Sequence, residues 1–210
     1  MAVYRPTYFP GNLLSYLPSQ VGPCKVSYLL DSELDLVPGV IEKAARAGLN
    51  VGVDEFTEEW YEWLIDGTNV FTIRSDQSEE EEEIKGIILI HNNLYCRSLH
   101  PVEGYFEIIL DPSLLKTDKD VYGSWVEFCV RAAQDIFPYY LGVSTSLFTV
   151  HAQWIAELRR QNFELTACIP FAGNLSKTKQ VDSYILHKKY ENAPDCNAKE
   201  IVSNHNRPNY

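Results

Sequence analysis

The sequence predicts an α/β domain with one mixed central sheet between helical layers, a three-layer αβα arrangement ordered β-α-α-β-β-β-α-β-α-β-β. Two kinds of segment alternate along the chain. Short runs carry apolar residues at every second position, and longer segments carry them at steps of three and four. Three strands come in succession and a β-α-β-α-β-β series follows. That order implies a sheet that is antiparallel at first and parallel near its middle.

Residues 1–24 hold four prolines and many tyrosines without a period, and read as an extended arm. Lys25 to Leu30 is the first strand, with Val26, Tyr28 and Leu30 on one face. Pro38 suits the first turn of a helix, Val37, Val40, Ile41, Ala44 and Ala45 keep helical spacing, and Gly48 stops it. A second helix follows Asp54, with Phe56, Trp60, Trp63 and Leu64 on one stripe, and ends at Gly67.

Asn69 to Ile73, Ile84 to His91 and Tyr105 to Leu110 are the next three strands. Val121, Trp125, Phe128, Ala132 and Ile136 mark one face of a long helix that Pro138 terminates. Tyr140 to Thr145 is a strand, and Val150, Trp154, Ile155 and Leu158 mark another helix. Phe163 to Ile169 and Val181 to His187 close the sheet, joined by a polar connection with Gly173-Asn174 as its turn. The domain therefore spans 25–190, and the polar residues 191–210 read as a flexible tail.

The chain of 210 residues suits one domain. No apolar run approaches the ~18 residues of a membrane span, and the prolines at 6, 10, 18 and 23 interrupt any signal-peptide core. The expected compartment is the cytoplasm, or the nucleus, and not the secretory route. Five scattered cysteines form no CxxC or Cys/His cluster, so neither a metal nor a disulfide framework is expected. The net charge of −11 opposes binding to nucleic acid or an anionic membrane. Part of it lies in Glu79 to Glu83, a solvated loop or an acidic handle for a basic partner.

The element order resembles that of the GNAT superfamily of acyl-CoA-dependent N-acyltransferases, and three segments carry the resemblance. Arg160 to Pro170 is similar to the family's "leucine-glycine-phenylalanine" helix end with the strand after it. Val181 to Lys189 is similar to its final strand, and Gly52 to Phe56 to a loop between its first two helices. The resemblance implies acyl transfer from acetyl-CoA to an amine. It assigns the pantetheine arm to strand backbone at Ile108, Ile109 and Leu110, in an opening between that strand and the one at Tyr140. The pyrophosphate would lie on the glycine-rich loop that opens the following helix.

That loop departs from the family pattern. Counted from Pro112, Leu115 holds its basic position, and Asp118 and Asp120 hold its glycine positions. Sliding the pattern onto Gly123 places Val121 and Asp118 at the others. Side chains obstruct a backbone approach to phosphate, and aspartates repel it, although Lys116 and Lys119 offset part of this. In the last long helix, His151 stands at the family's cofactor-contacting Asn and Leu158 at its Tyr acid. Leucine cannot donate a proton. Glu107 lies on the strand where the family often holds a general base, and is the one weak catalytic candidate. The loop pair Cys96 and His100 has nothing to orient it as a nucleophile pair.

Two functions are compatible with these residues. In one, the fold persists, acetyl-CoA chemistry is weakened or lost, and the chain binds another protein through a surface that includes residues 1–24. The apolar arm residues Tyr4, Tyr8, Phe9, Leu13, Leu14, Tyr16 and Leu17 either dock on that partner or fold back on the domain. In the other, the chain is an active acetyl-CoA-dependent N-acyltransferase whose acidic helix residues Glu55, Glu58, Glu59 and Glu62 attract a cationic amine.

Overall fold

Alternation along β5 (Glu103–Leu110) shows how the layers are assigned. Phe106, Ile108 and Leu110 enter a core on one side of the sheet. Ile109 enters a second core on the other side. Successive strand residues point to opposite faces, and both faces of this strand are covered, so its sequence is almost continuously apolar.

The computed structural model describes residues 19–22, 24–49, 51, 68–75, 83–92, 103–114, 121–137, 140–176 and 178–191. The expected second helix after Asp54, most of the acidic run at Glu79 to Glu83, the Cys96 and His100 pair, and Lys116 to Asp120 lie outside them. So do residues 1–18 of the arm and the tail from 192 onward.

The remaining strands are β1 (Ser19–Val21), β2 (Cys24–Tyr28), β3 (Asn69–Ser75), β4 (Ile84–Asn92), β6 (Gly142–Phe148), β7 (Glu164–Ser176) and β8 (Lys179–Lys189). They form one sheet in the order β1-β2-β3-β4-β5-β6-β8-β7. Every pairing is antiparallel except β5 with β6. The helices are α1 (Val37–Arg46), α2 (Val121–Ile136) and α3 (Ala152–Arg160). Helix α1 buries Val40, Ile41 and Ala44 against Val70, Ile87 and Leu89. On the opposite face α2 and α3 bury Trp125, Phe128, Ala132 and Leu158 against Phe71, Ile88 and Phe106.

The helix ends have local causes. Gly48 takes φ 70°, and the Gly48 and Leu49 amides donate to the carbonyls of Ala45 and Ala44. Helix α3 ends the same way with Asn162 at φ 65°: the Asn162 and Phe163 amides donate to Arg159 and Leu158. Asparagine tolerates this left-handed turn better than other non-glycine residues. On the α1 side, the buried Arg74 guanidinium is bonded by Glu33, Thr72 and Ser27, which anchors the 3₁₀ turn Asp31–Leu36 to β2 and β3.

Several boundaries differ from the sequence expectation. Ser19 to Val21, expected within the arm, pairs with β2 through a turn at Gly22. Tyr140 closes the exit of α2, its amide donating to the Phe137 carbonyl, so β6 begins only at Gly142 and extends to Phe148. Val150 stands exposed before α3 rather than on its buried face. The connection expected at Gly173-Asn174 is strand as far as Ser176, and Thr178 lies in a turn. Gly173 provides space there: a Cβ on it would lie 2.6 Å from Phe148 Cζ. The strand bulges between Ile169 and Gly173, with Phe171 at φ 54° and its amide held by the Asp182 carboxylate.

Candidate functional site

The sheet forks in its middle. Parallel pairing of β5 with β6 covers Glu103↔Gly142, Gly104↔Val143 and Tyr105↔Ser144, and stops there. Beyond it, β5 stays with β4 as far as Leu110↔Gly86, and β6 stays with β8 as far as Phe148↔Ser183. The two halves of the sheet part between these strands. Among the described residues, the outer edge of Phe106 to Leu110, which includes Ile108, Ile109 and Leu110, therefore faces an opening instead of a strand.

A polar clamp holds the base of the fork. Ser144 Oγ donates to Glu103 Oε2 at 2.9 Å, and His187 Nδ1 lies 2.8 Å from Glu103 Oε1. One carboxylate thus joins β5, β6 and β8. Gly142 leaves room for the imidazole, since a Cβ there would lie 2.5 Å from His187 Cε1. The three side chains resemble a nucleophilic triad in composition but not in geometry. In a triad the serine and the carboxylate address opposite ring nitrogens. Here Ser144 lies 3.4 Å from Nδ1, the same nitrogen that meets Glu103. With Nδ1–H donating to the carboxylate, it cannot accept the serine proton, so the cluster is a clamp. Tyr105 and Ser146 hydrogen-bond through their hydroxyls just past the last paired residues, and His91 packs on the Tyr105 ring at 4.9 Å.

A ladder of rings links the end of β6 to α3 and α2. Phe148 and His151 stack with centroids 6.4 Å apart, His151 and Trp154 at 4.7 Å, and Trp154 and Tyr122 at 4.8 Å with planes 4° apart. Trp154 packs against the cores on both faces of the sheet. The fork is where the paired strands separate, so Trp154 bridges the two cores there. Burial pushes the Tyr122 hydroxyl far above its ordinary range, with Cys129 and Glu157 adding to the shift. Burial also lowers the His151 imidazole, opposed in part by a hydrogen bond with the Gly48 backbone. The rung between Phe148 and Trp154 is thereby biased toward its neutral form.

The first turn of α2 is covered as well. Gln161 Nε2 donates to the Gly123 carbonyl at 2.9 Å and to Glu157 Oε1 at 2.9 Å. A Cβ on Gly123 would lie 2.5 Å from Glu157 Oε1. The Arg160 guanidinium holds the Glu157 carboxyl below its usual value, with Gln161 assisting against desolvation. A carboxylate therefore already lies beside this turn, where negative charge is favoured by the helix dipole.

The residues singled out in the sequence are distributed around this opening. His151 is the N-cap of α3 and a rung of the ladder. Gly123 lies at the α2–α3 contact. Ile108 and Leu110 bury their side chains toward α2, and Ile109 toward α1. Glu107 is half-buried and shares the α1 face with Tyr105 and Ile109. Leu158, at the expected proton-donor position, is fully buried apolar core. Lys116 and Lys119 lie outside the described residues. The sequence reading took Trp154 only as a helix-face residue and did not single out Tyr122, Phe148, Glu103, Ser144 or His187. The spacing of Phe148, His151 and Trp154 at steps of three was the available signal for the ladder.

A mixed sheet that forks at a parallel pair, with helices on both faces, is the GNAT fold, and the described residues of this chain have it. Solved structures agree. A GNAT superfamily phosphinothricin acetyltransferase from Sinorhizobium meliloti, in complex with acetyl-CoA, superposes with a TM-score of 0.62 at 12% identity, covering 81% of this chain and 90% of its own. A ribosomal-protein-alanine N-acetyltransferase from Brucella melitensis gives 0.60 at 14% identity, covering 79% and 99%. A GCN5-related N-acetyltransferase from Kribbella flavida gives 0.61 at 9% identity, covering 80% and 98%. No protein-family model and no curated protein matches the sequence.

The indole of Trp154 is stacked on Tyr122 and packed on both cores. Among the described residues, no helix is long and apolar enough to cross a membrane.

Proposed function

We propose that this chain is a GNAT-fold protein whose acetyl-CoA chemistry is weakened or lost, and that it acts by binding another protein. The observation that carries this reading is Trp154, whose ring bridges both cores at the fork. In this reading a cofactor arm entering beside α3 displaces that ring from its stack, giving up roughly 2 kcal/mol of apolar burial and aromatic contact. The sequence adds that Leu158 cannot serve as an acid and that aspartates hold the expected glycine positions of the loop. The proposed partner surface includes the aromatic residues of the first 24 positions.

Calorimetric titration with acetyl-CoA, with desulfo-CoA as control, tests the reading. No heat of binding up to millimolar cofactor is the expected result. Micromolar binding by the unaltered chain would overturn it in favour of an active N-acyltransferase acting on a cationic amine. An amine screen and Glu107→Gln would then define the activity. Capture of partners with and without residues 1–24 tests the second half of the proposal.

A further inference from the structure

On the α1 side of the sheet, residues from both halves of the fork meet at one turn. Helix α1 covers β4 and β5, with Ile41 and Ala44 in one core with Ile87, Leu89 and Ile109. The helix ends at Gly48, whose φ of 70° turns the chain back. The other half of the sheet reaches this turn through two side chains. The His151 imidazole is hydrogen-bonded to the Gly48 backbone. Leu175 Cδ2 lies 3.5 Å from where a Cβ on Gly48 would stand. His151 follows shortly after β6, its amide donating to the Phe148 carbonyl, and Leu175 lies near the end of β7.

The chemistry of this contact is that of a helix C-terminus. The last carbonyls of a helix lack intrahelical donors, and the helix dipole favours a donor beside them. Burial lowers the His151 imidazole and the bond to Gly48 raises it, so the ring N–H donates and the Gly48 carbonyl accepts. Stacking on Trp154 at 4.7 Å and on Phe148 at 6.4 Å fixes the plane of the ring. Charged side chains of α1 and α3 are bonded elsewhere: Lys43 to Glu83 and Asp111, Arg46 to Glu42, and Arg160 to Glu157.

We infer that the His151–Gly48 bond is a latch that holds the end of α1 against the junction of β6 and α3, and that its release frees this turn while the rest of the sheet stays closed. Two features keep the release local. Glu103 fastens the base of the fork separately, through Ser144 and His187. On the opposite face one core runs across the fork, from Phe106 and Ile108 to Val143, Leu147 and Leu158. Among the described residues, the Gly48 turn is tied to the other half by one imidazole bond and one aliphatic contact. These are weak beside a continuous core, so the turn opens before the fold does. His151 is thereby a positioning residue, and the inference holds whether or not acetyl-CoA binds.

Amide hydrogen exchange of the full chain, resolved by NMR, tests it. The Gly48 and Leu49 amides, which donate to Ala45 and Ala44, report the turn. Gly104 and Val143 report the base of the fork. In the unaltered chain the turn should exchange faster than the base, at rates that hold as urea rises below the unfolding range. His151→Ala should accelerate exchange at the turn roughly tenfold, the scale of one lost hydrogen bond, and leave the base at its original rates. His151→Gln keeps a side-chain N–H and should recover part of the protection. Unchanged exchange at Gly48 and Leu49 in His151→Ala, or equal acceleration at the base, would overturn the inference. Should His151→Ala fail to fold, the unaltered chain decides: a turn whose exchange follows urea as steeply as the base opens only with the whole fold, and is no latch.

Discussion

The indole of Trp154 lies parallel to the phenol of Tyr122, with centroids 4.8 Å apart. This contact joins α3 to the first turn of α2 across the side of the fork. The ring ladder starts at Phe148 in β6, continues through His151 and Trp154 of α3, and ends at Tyr122 of α2. Gln161 and Glu157 then extend the helix–helix contact to Gly123.

Removing the indole should therefore loosen two elements at once. Trp154→Ala is expected to lower unfolding stability by about 3 kcal/mol, the scale of a large-to-small aromatic change at a partly buried site. Trp154→Phe keeps a ring on Tyr122 and should lose less than half of that. Urea denaturation of the three proteins, compared at their midpoints and slopes, measures both values.

His151 gives the ladder a pH dependence. Its folded value lies below that of the free imidazole, with burial as the leading cause. The unfolded chain then takes up a proton more readily, near pH ~6.5. The contribution to stability is fully present above that pH and is lost as pH falls toward the folded value. Unfolding free energy should decline with acidification below pH ~6.5. His151→Phe retains a stacked ring, removes the titration and should flatten this part of the profile. An unchanged slope in the variant would assign the decline to other groups.

Gly173 and Phe148 form a complementary pair of small and large residues across β7 and the end of β6. Gly173→Ala should destabilise the chain by about 1–3 kcal/mol through overpacking, because its Cβ would sit 2.6 Å from the Phe148 ring. Phe148→Leu in the same chain should recover part of the loss. A double-mutant cycle by thermal melting reads the coupling directly, and additive effects would show that the two positions do not interact.

Much of the architecture was legible in the sequence for definite reasons. Phe106, Ile108 and Leu110 repeat at the strand period, and Val121, Trp125, Phe128 and Ala132 at the helical one, so their faces follow from backbone geometry alone. Gly48 was legible as a stop because a left-handed residue there completes the helix end. Gly173 was misleading because glycine signals both turns and close packing, and here Phe148 made it the second. Local chemistry by itself determined the described elements and their order, and the departures at Leu158 and Asp118 were read against the family pattern that the resemblance implies.

Only the tertiary structure decided what occupies the fork. Glu103, Ser144 and His187 lie on three strands far apart in sequence, and no local pattern marks them as one clamp. Trp154 reads as an ordinary apolar helix residue until β5 and β6 part beside it and leave both cores within reach of one ring. Periodicity specifies which face a side chain takes. Whether that face meets a cavity or another ring depends on how strands distant in the chain are brought together.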